Sequence, residues 1–165
     1  METFAVYWEP VIKTYGIFDR TDLCLVSFQV NPEQMGEMGI CLSRCPESVN
    51  RAVMLVFARP ARNGQLYTHI LLTTASVVPL LMDAMSADPE MLMDIKIDKH
   101  VELIYFQGPH FGDRYGIAEA ALKALAARDA PLTATVCTGA SVYLITPKGG
   151  SQSARAALAG VFMAP

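Results

Sequence analysis

Gln107-Gly108-Pro109-His110-Phe111-Gly112-Asp113-Arg114-Tyr115-Gly116-Ile117-Ala118 is the stretch on which the fold turns. It follows an apolar segment, residues 100–107, that reads as a strand. It runs into residues 117–128, the clearest helix in the chain. Ile117, Ala121, Leu125 and Arg128 mark the 3.6-residue rows of that helix, and alanines fill most other positions. Between strand and helix lie Gly108, Gly112 and Gly116. Glycine lets backbone N–H groups approach a ligand, and the helix start that follows favours an anionic group such as a carboxylate. The plain alternative is a tight strand-to-helix turn that binds nothing.

Outward from this stretch the pattern continues in both directions. Downstream, residues 131–138 and 141–146 read as strands around Gly139-Ala140. Residues 147–150 read as a loop, and Ser151 or Ser153 opens a last helix to about residue 162. Upstream, residues 92–97 form a short strand, and Asp98-Lys99 turns it into residues 100–107. Ser76 caps a helix over residues 77–87, with Pro79 tolerated in its first turn and Asp88-Pro89 as its stop. Asn63-Gly64 is a hairpin signal between strands at 49–59 and 65–73. Asn31-Pro32-Glu33 starts a helix that runs to about Arg44, before Pro46. Residues 11–18 and 23–30 read as strands joined by a turn at Asp19-Arg20-Thr21-Asp22.

The order repeats. From residue 23 it is strand, helix, strand, strand, helix, strand. From residue 100 it is the same without the last strand. A βαββαβ unit is the ferredoxin-like layout, an antiparallel sheet with two helices on one face. The expected class is therefore α+β, with two such units. One strand is in surplus at the start, over 11–18, and one is missing at the end. The N-terminal strand is expected to complete the second sheet. The expected domains are 20–97, inserted into a second domain made of 5–18 and 99–165.

Residues 107–118 resemble the first loop of an ACT domain. They are similar to the second ACT domain of aspartate kinases, where a strand ends in Gly-Pro-Gly-Met and a helix opens with Pro-Gly-Val-Ala. The leading segment Tyr15-Gly16-Ile17-Phe18 and Asp19-Arg20 is similar to the entry of the regulatory region of those kinases. His110 stands where the family has its second Gly, Tyr115 where it has Pro, and Thr138-Gly139-Ala140-Ser141 where it has a Ser-Glu pair.

The resemblance implies a regulatory protein that senses a small effector, often an amino acid in that family, at the loop Gly108, Pro109, His110, Phe111, Gly112, Asp113, Arg114, Tyr115, Gly116 and Ile117. Asp113 would meet an α-amino group and Arg114 a carboxylate. Asn31, Gln34 and Glu37 occupy the equivalent loop of the first unit, where solvated helix-start residues explain them equally well. If His110 and Tyr115 fill the pocket, the chain keeps the ACT fold as an assembly protein without a ligand. The resemblance also implies a homodimer and a regulated enzyme whose identity is open.

Composition sets the remaining bounds. Of 165 residues, 52% are hydrophobic and 18% charged, enough apolar material to exclude wholesale disorder. The mean hydropathy of +0.30 hints at surface covered by another chain. Even so, no apolar run reaches the length of a membrane span. A net charge of −3 argues against nucleic acid. The N-terminus shows no signal peptide, so a cytoplasmic protein with reduced thiols is expected. Cys41 and Cys45 share a helix face but lack further ligands nearby, and they read as buried small hydrophobes instead of a metal site. The nine methionines read as adaptable core. There is no P-loop and no Gly-x-Ser-x-Gly elbow, and Lys148-Gly149-Gly150 reads as a loop. Neither catalysis nor a cofactor is expected.

Overall fold

A computed structural model describes residues 11–86 and 93–163. The chain divides into two compact units, Met1–Thr21 with Glu102–Pro165, and Asp22–Val101. Both are α+β, and each packs its helices on one face of an antiparallel sheet.

In the unit Asp22–Val101 the hydrogen-bonded strand order is β3 (Val53–Pro60), β4 (Leu66–Leu72), β2 (Gly16–Val30) and β5 (Met93–Gln107). The register sets Cys24 opposite Leu72 and Val30 opposite Leu66, with Phe57 opposite His69 and Arg59 opposite Tyr67. Alternation along β2 then separates two faces. Cys24, Val26, Phe28 and Val30 join Ile70 and Leu72 under α1 (Met35–Arg44), α2 (Glu47–Ala52) and α3 (Val78–Met85), where Met38, Val49, Leu81 and Met85 close the core. Ser27 and Gln29 lie on the opposite face with His69 and Tyr67.

The other unit uses the remaining lengths of β2 and β5, then β7 (Ser141–Thr146) and β6 (Ala134–Cys137). Ile104, Phe106, Val142 and Leu144 pack beneath α4 (Ile117–Ala126) and α5 (Gly150–Leu158). A small parallel pair, β1 (Ile12–Lys13) and β8 (Phe162–Met163), closes this unit. Phe162 is buried and stands 4.7 Å from Phe106, which in turn meets Phe111 edge-on at 6.2 Å.

Several expectations are corrected. The strand expected over 11–18 is two pieces: β1 pairs with β8, whereas residues 16–18 open β2 and belong, as expected, to the sheet of the unit that holds Glu102–Pro165. The last strand thought to be missing is β8, only two residues long. No turn interrupts 19–22 or 98–99, because β2 and β5 run through both segments as 15-residue strands. Asp22 (φ 56°) and His100 (φ 68°) absorb the local distortion without ending either strand. Residues 49–52 are helical, since the last turn of α2 buries Val49 and Ala52 together. Thr74, not Ser76, caps the turn before α3, its hydroxyl accepting from the Ser76 N–H at 3.3 Å. The helix stop expected at Asp88-Pro89 lies outside the described residues.

Candidate functional site

The loop after β5 is shaped by its glycines. A Cβ on Gly108 would meet the Phe111 ring at 2.5 Å and collide with the Lys13 carbonyl, so only glycine fits. Phe111 folds under the loop and is buried, whereas His110, Gly112, Asp113, Tyr115 and Gly116 are exposed. The Asp113 N–H donates to the His110 carbonyl at 3.0 Å, and the two side chains approach to 3.6 Å. His110 itself has φ 62°, the region the family's glycine would enter freely. Gly112 lies beside the Gly139 carbonyl of the β6–β7 turn. There the Thr138 hydroxyl accepts from Ser141 N–H at 2.9 Å and Ala140 N–H at 3.2 Å. Pro109 and Arg114 are half-buried. Tyr115 is 99% exposed, so it fills no pocket within this chain.

Gly116, at φ 85°, is the residue that opens α4, and buried Ile117 anchors the first turn. The start of α5 is built the same way, with Gly149 at φ 79°. The two ends differ in one respect. Glu102 on β5 sends its carboxylate into the α5 terminus, accepting from Gly149 N–H at 2.8 Å and Ser151 N–H at 2.9 Å. Burial would raise the Glu102 carboxyl, but the bonds from the Ser151 hydroxyl and these two N–H groups, with the Lys148 charge, outweigh it. The net effect lowers the carboxyl below its usual range. At α4, no side chain among the described residues accepts from the first-turn N–H groups. Its first-turn acid, Glu119, pairs instead with Lys123 at 2.7 Å.

In the unit Asp22–Val101 the structure brings Asn31 and Gln34 together. They line a cleft of about 430 Å³ with Pro32, Glu33 and Gly64. Glu37 sits further along α1, exposed and away from this lining. The Gln34 side-chain amide oxygen, Oε1, is buried without a hydrogen-bond partner among the described residues. A second cleft, about 420 Å³, is lined by Gln29, Tyr67 and the turn Arg59–Asn63. None of these cleft residues except the Asn63 turn signal is singled out by sequence pattern. Gln29 is buried and fully engaged: its amide donates to the Tyr67 hydroxyl at 3.0 Å and to the Asp94 carboxylate, and its carbonyl accepts from Asn63 at 3.0 Å. Beside it, Ser27 Oγ and His69 Nδ1 share a hydrogen bond of 2.8 Å. Burial, and then the Arg59 charge, hold the His69 imidazole below its usual range.

Among the described residues no group of three or more His, Cys, Asp and Glu side chains is placed to hold a metal ion. Cys41 and Cys45 are joined only by the Cys45 thiol donating to the Cys41 carbonyl at 3.6 Å. No described helix is long and apolar enough to cross a membrane.

No family model matches the chain, and no curated protein matches its sequence. Solved structures do match its fold. The regulatory subunit of aspartate kinase from Thermus flavus superposes with a TM-score of 0.76 at 11% identity, over 90% of this chain and 97% of that one. The ligand-free regulatory subunit of aspartate kinase from Thermus thermophilus gives 0.72 at 12% identity, over 91% and 99%. Aspartate kinase from Synechocystis gives 0.73 at 18% identity, over 92% of this chain but 28% of that much longer one. The resemblance carried by residues 107–118 thus extends to the fold of nearly the whole chain, two ACT-like units of the kind found in aspartate kinase regulatory regions.

Proposed function

We propose that the chain is a non-catalytic regulatory protein whose 108–117 loop senses a small zwitterion, an amino acid by the analogy of fold. The observation that carries this reading is the contrast between the two helix starts. Each is opened by a glycine with positive φ, but among the described residues only α5 receives a carboxylate from its own unit. A ligand carboxylate at α4 would play the part that Glu102 plays at α5. Arg114 supplies a cation on the same loop, and Asp113 an acid for the ligand's ammonium group. The module would act as a homodimer and pass its state to a separate enzyme.

Calorimetry against the twenty amino acids tests the reading. One clear binder supports it, with Arg114→Ala weakening that binder by about 1.5–3 kcal/mol, the range for a hydrogen bond to a charged group. Gly112→Val should block backbone approach. Gly112 has room, since its Cβ would meet only the Gly139 carbonyl at 3.4 Å. Gly116 is the poorer probe, because valine at φ 85° would strain the backbone whether or not a ligand binds. Affinity unchanged in both variants refutes the placement.

A second reading is favoured by the contact of Asp113 with His110, which already engages the acid assigned to the ammonium group. On that reading the fold serves assembly alone, and all twenty amino acids give no heat.

A further inference from the structure

The cleft at the Arg59–Asn63 turn lies in the unit Asp22–Val101, and the function proposed above makes no use of it. Its floor is the face of the sheet away from the helices, where Gln29, Tyr67 and Arg59 form one cross-strand row. Its rim is the β3–β4 turn, closed by the Ala61 N–H to Gln65 carbonyl bond at 2.8 Å.

Three features distinguish this cleft from an ordinary hollow beside a hairpin. First, its floor is built: Gln29 is only 5% exposed, and each polar atom of its side chain is bonded, fixing Tyr67 and Asn63 in place. Asn63 is held again by Gln65, its amide donating to the Gln65 carbonyl oxygen at 2.6 Å. Second, Arg59 is oriented. Its guanidinium lies 4.8 Å from the centre of the Tyr67 ring. A cation–π contact of this kind holds the guanidinium over the ring while its N–H donors can serve a planar or tetrahedral anion. Third, among the described residues the lining of the cleft holds two cations and no acid. Among the described residues no carboxylate lies within ion-pair distance of Arg59 or Arg62. Asp94, the acid bonded to Gln29, is not part of the lining.

We propose that this cleft binds a small organic anion, a molecule carrying a phosphate or carboxylate group that the Arg59 and Arg62 guanidinium groups hold while Asn63 and Tyr67 contact its polar body. The shared chemistry of both sources is a cluster of acidic oxygens able to take paired N–H donors. The volume of about 420 Å³ admits such a group together with a short carbon skeleton.

The test is titration of the full chain with inorganic phosphate and, separately, with succinate, followed by calorimetry and by amide chemical shifts. Saturable binding of either probe, with shifts confined to residues 59–63, 67 and 29, is the expected result, and which probe binds identifies the acidic group. Arg59→Met with Arg62→Met should lower the affinity about tenfold or more, the loss of at least one charge-assisted bond. Arg59→Lys keeps the charge but not the fork, and should weaken binding as well. Lys123→Met removes a charge that belongs to the other unit and is no part of the lining, and should change nothing, which separates a site from general attraction. If the double variant does not fold, the shifts of the unaltered protein still decide. Silence with both probes, shifts elsewhere, or affinity insensitive to both arginines overturns the proposal. Failure of the amino-acid reading would leave it untouched, because the probes differ and the arginine variants lie in the other unit.

Discussion

Replacing Glu102 with Gln separates charge from shape at the start of α5. The carboxylate accepts two backbone N–H bonds, at 2.8 and 2.9 Å, and is 8% exposed. A hydrogen bond to a charged group contributes roughly 1.5–3 kcal/mol net. Glutamine keeps one acceptor oxygen, so one bond survives in weaker, neutral form, and the second N–H then faces an amide NH₂. The expected loss is roughly 2–4 kcal/mol. At about 2–4 °C per kcal/mol for a chain of this length, the thermal midpoint at neutral pH should fall by roughly 5–15 °C. The pH dependence supplies an independent check. Glu102 titrates below its usual range in the folded protein and near about 4.3 in the unfolded chain. Its contribution is therefore fully present above that unfolded value and is lost as pH falls through the depressed folded one. Melting curves of wild type and Glu102→Gln should differ most at neutral pH and converge in acid. Equal midpoints at neutral pH, or curves that stay parallel down to about pH 3, would refute the reasoning.

Three further outcomes are expected. Gly108→Ala should destabilise by about 1–3 kcal/mol or more, read from urea midpoints, because the new methyl has no room between the Phe111 ring and the Lys13 carbonyl. His69 is held below its usual range, first by burial and then by Arg59, so the folded state resists protonation. Stability should decline as pH falls below about 6.5, and His69→Gln should flatten that decline; an unchanged slope would exclude His69 as its source. Light scattering should give a mass above the 18.0 kDa of one chain, since β3 and β6 end their sheets and Val56 on β3 is 42% exposed; a monomer at micromolar concentration contradicts this.

Most of the order of elements was legible because α1, α3, α4 and α5 carry periodic or capping signals, and Asn63-Gly64 marks its hairpin directly; α2, only six residues long, carries none and reads in sequence as the start of a strand. What misled was local chemistry overruled by pairing. Asp19-Arg20-Thr21-Asp22 and Asp98-Lys99 have turn composition, and isolated peptides of that kind would bend. In the folded chain β2 and β5 are neighbours in the sheet, and each runs extended through its segment as a 15-residue strand. The bending tendency survives only as the left-handed φ of Asp22 and His100, whose side chains meet at 3.6 Å. The pair β1 and β8 was invisible for a different reason. Two residues make no period, and Ile12 finds Phe162 only because the buried Phe106 ring stands at the same place in the core.

Site residues divide along the same line between local and distant causes. Gly108, Gly112 and Gly116 could be read because a glycine declares its backbone requirement by itself. Glu102 could not. In sequence it is an acid within an apolar strand, and its role depends on Gly149 and Ser151, nearly fifty residues away. Gln29 was hidden for the same reason, since its partners Asn63, Tyr67 and Asp94 come from three other segments. This asymmetry bears on ligand recognition. Where the fold satisfies a helix start from within, as Glu102 does at α5, added anions meet a charge already in place and are repelled. Where it does not, as at α4, the same backbone geometry can take a carboxylate from outside. Placing an acid beside the α4 start should therefore remove that capacity. Gly112→Glu is the direct substitution, its Cβ having space and its chain the reach of a helix turn. If an amino acid binds the 108–117 loop, that variant should lose it while its melting temperature holds or rises. Retained binding in a folded Gly112→Glu protein would move the site away from the α4 terminus.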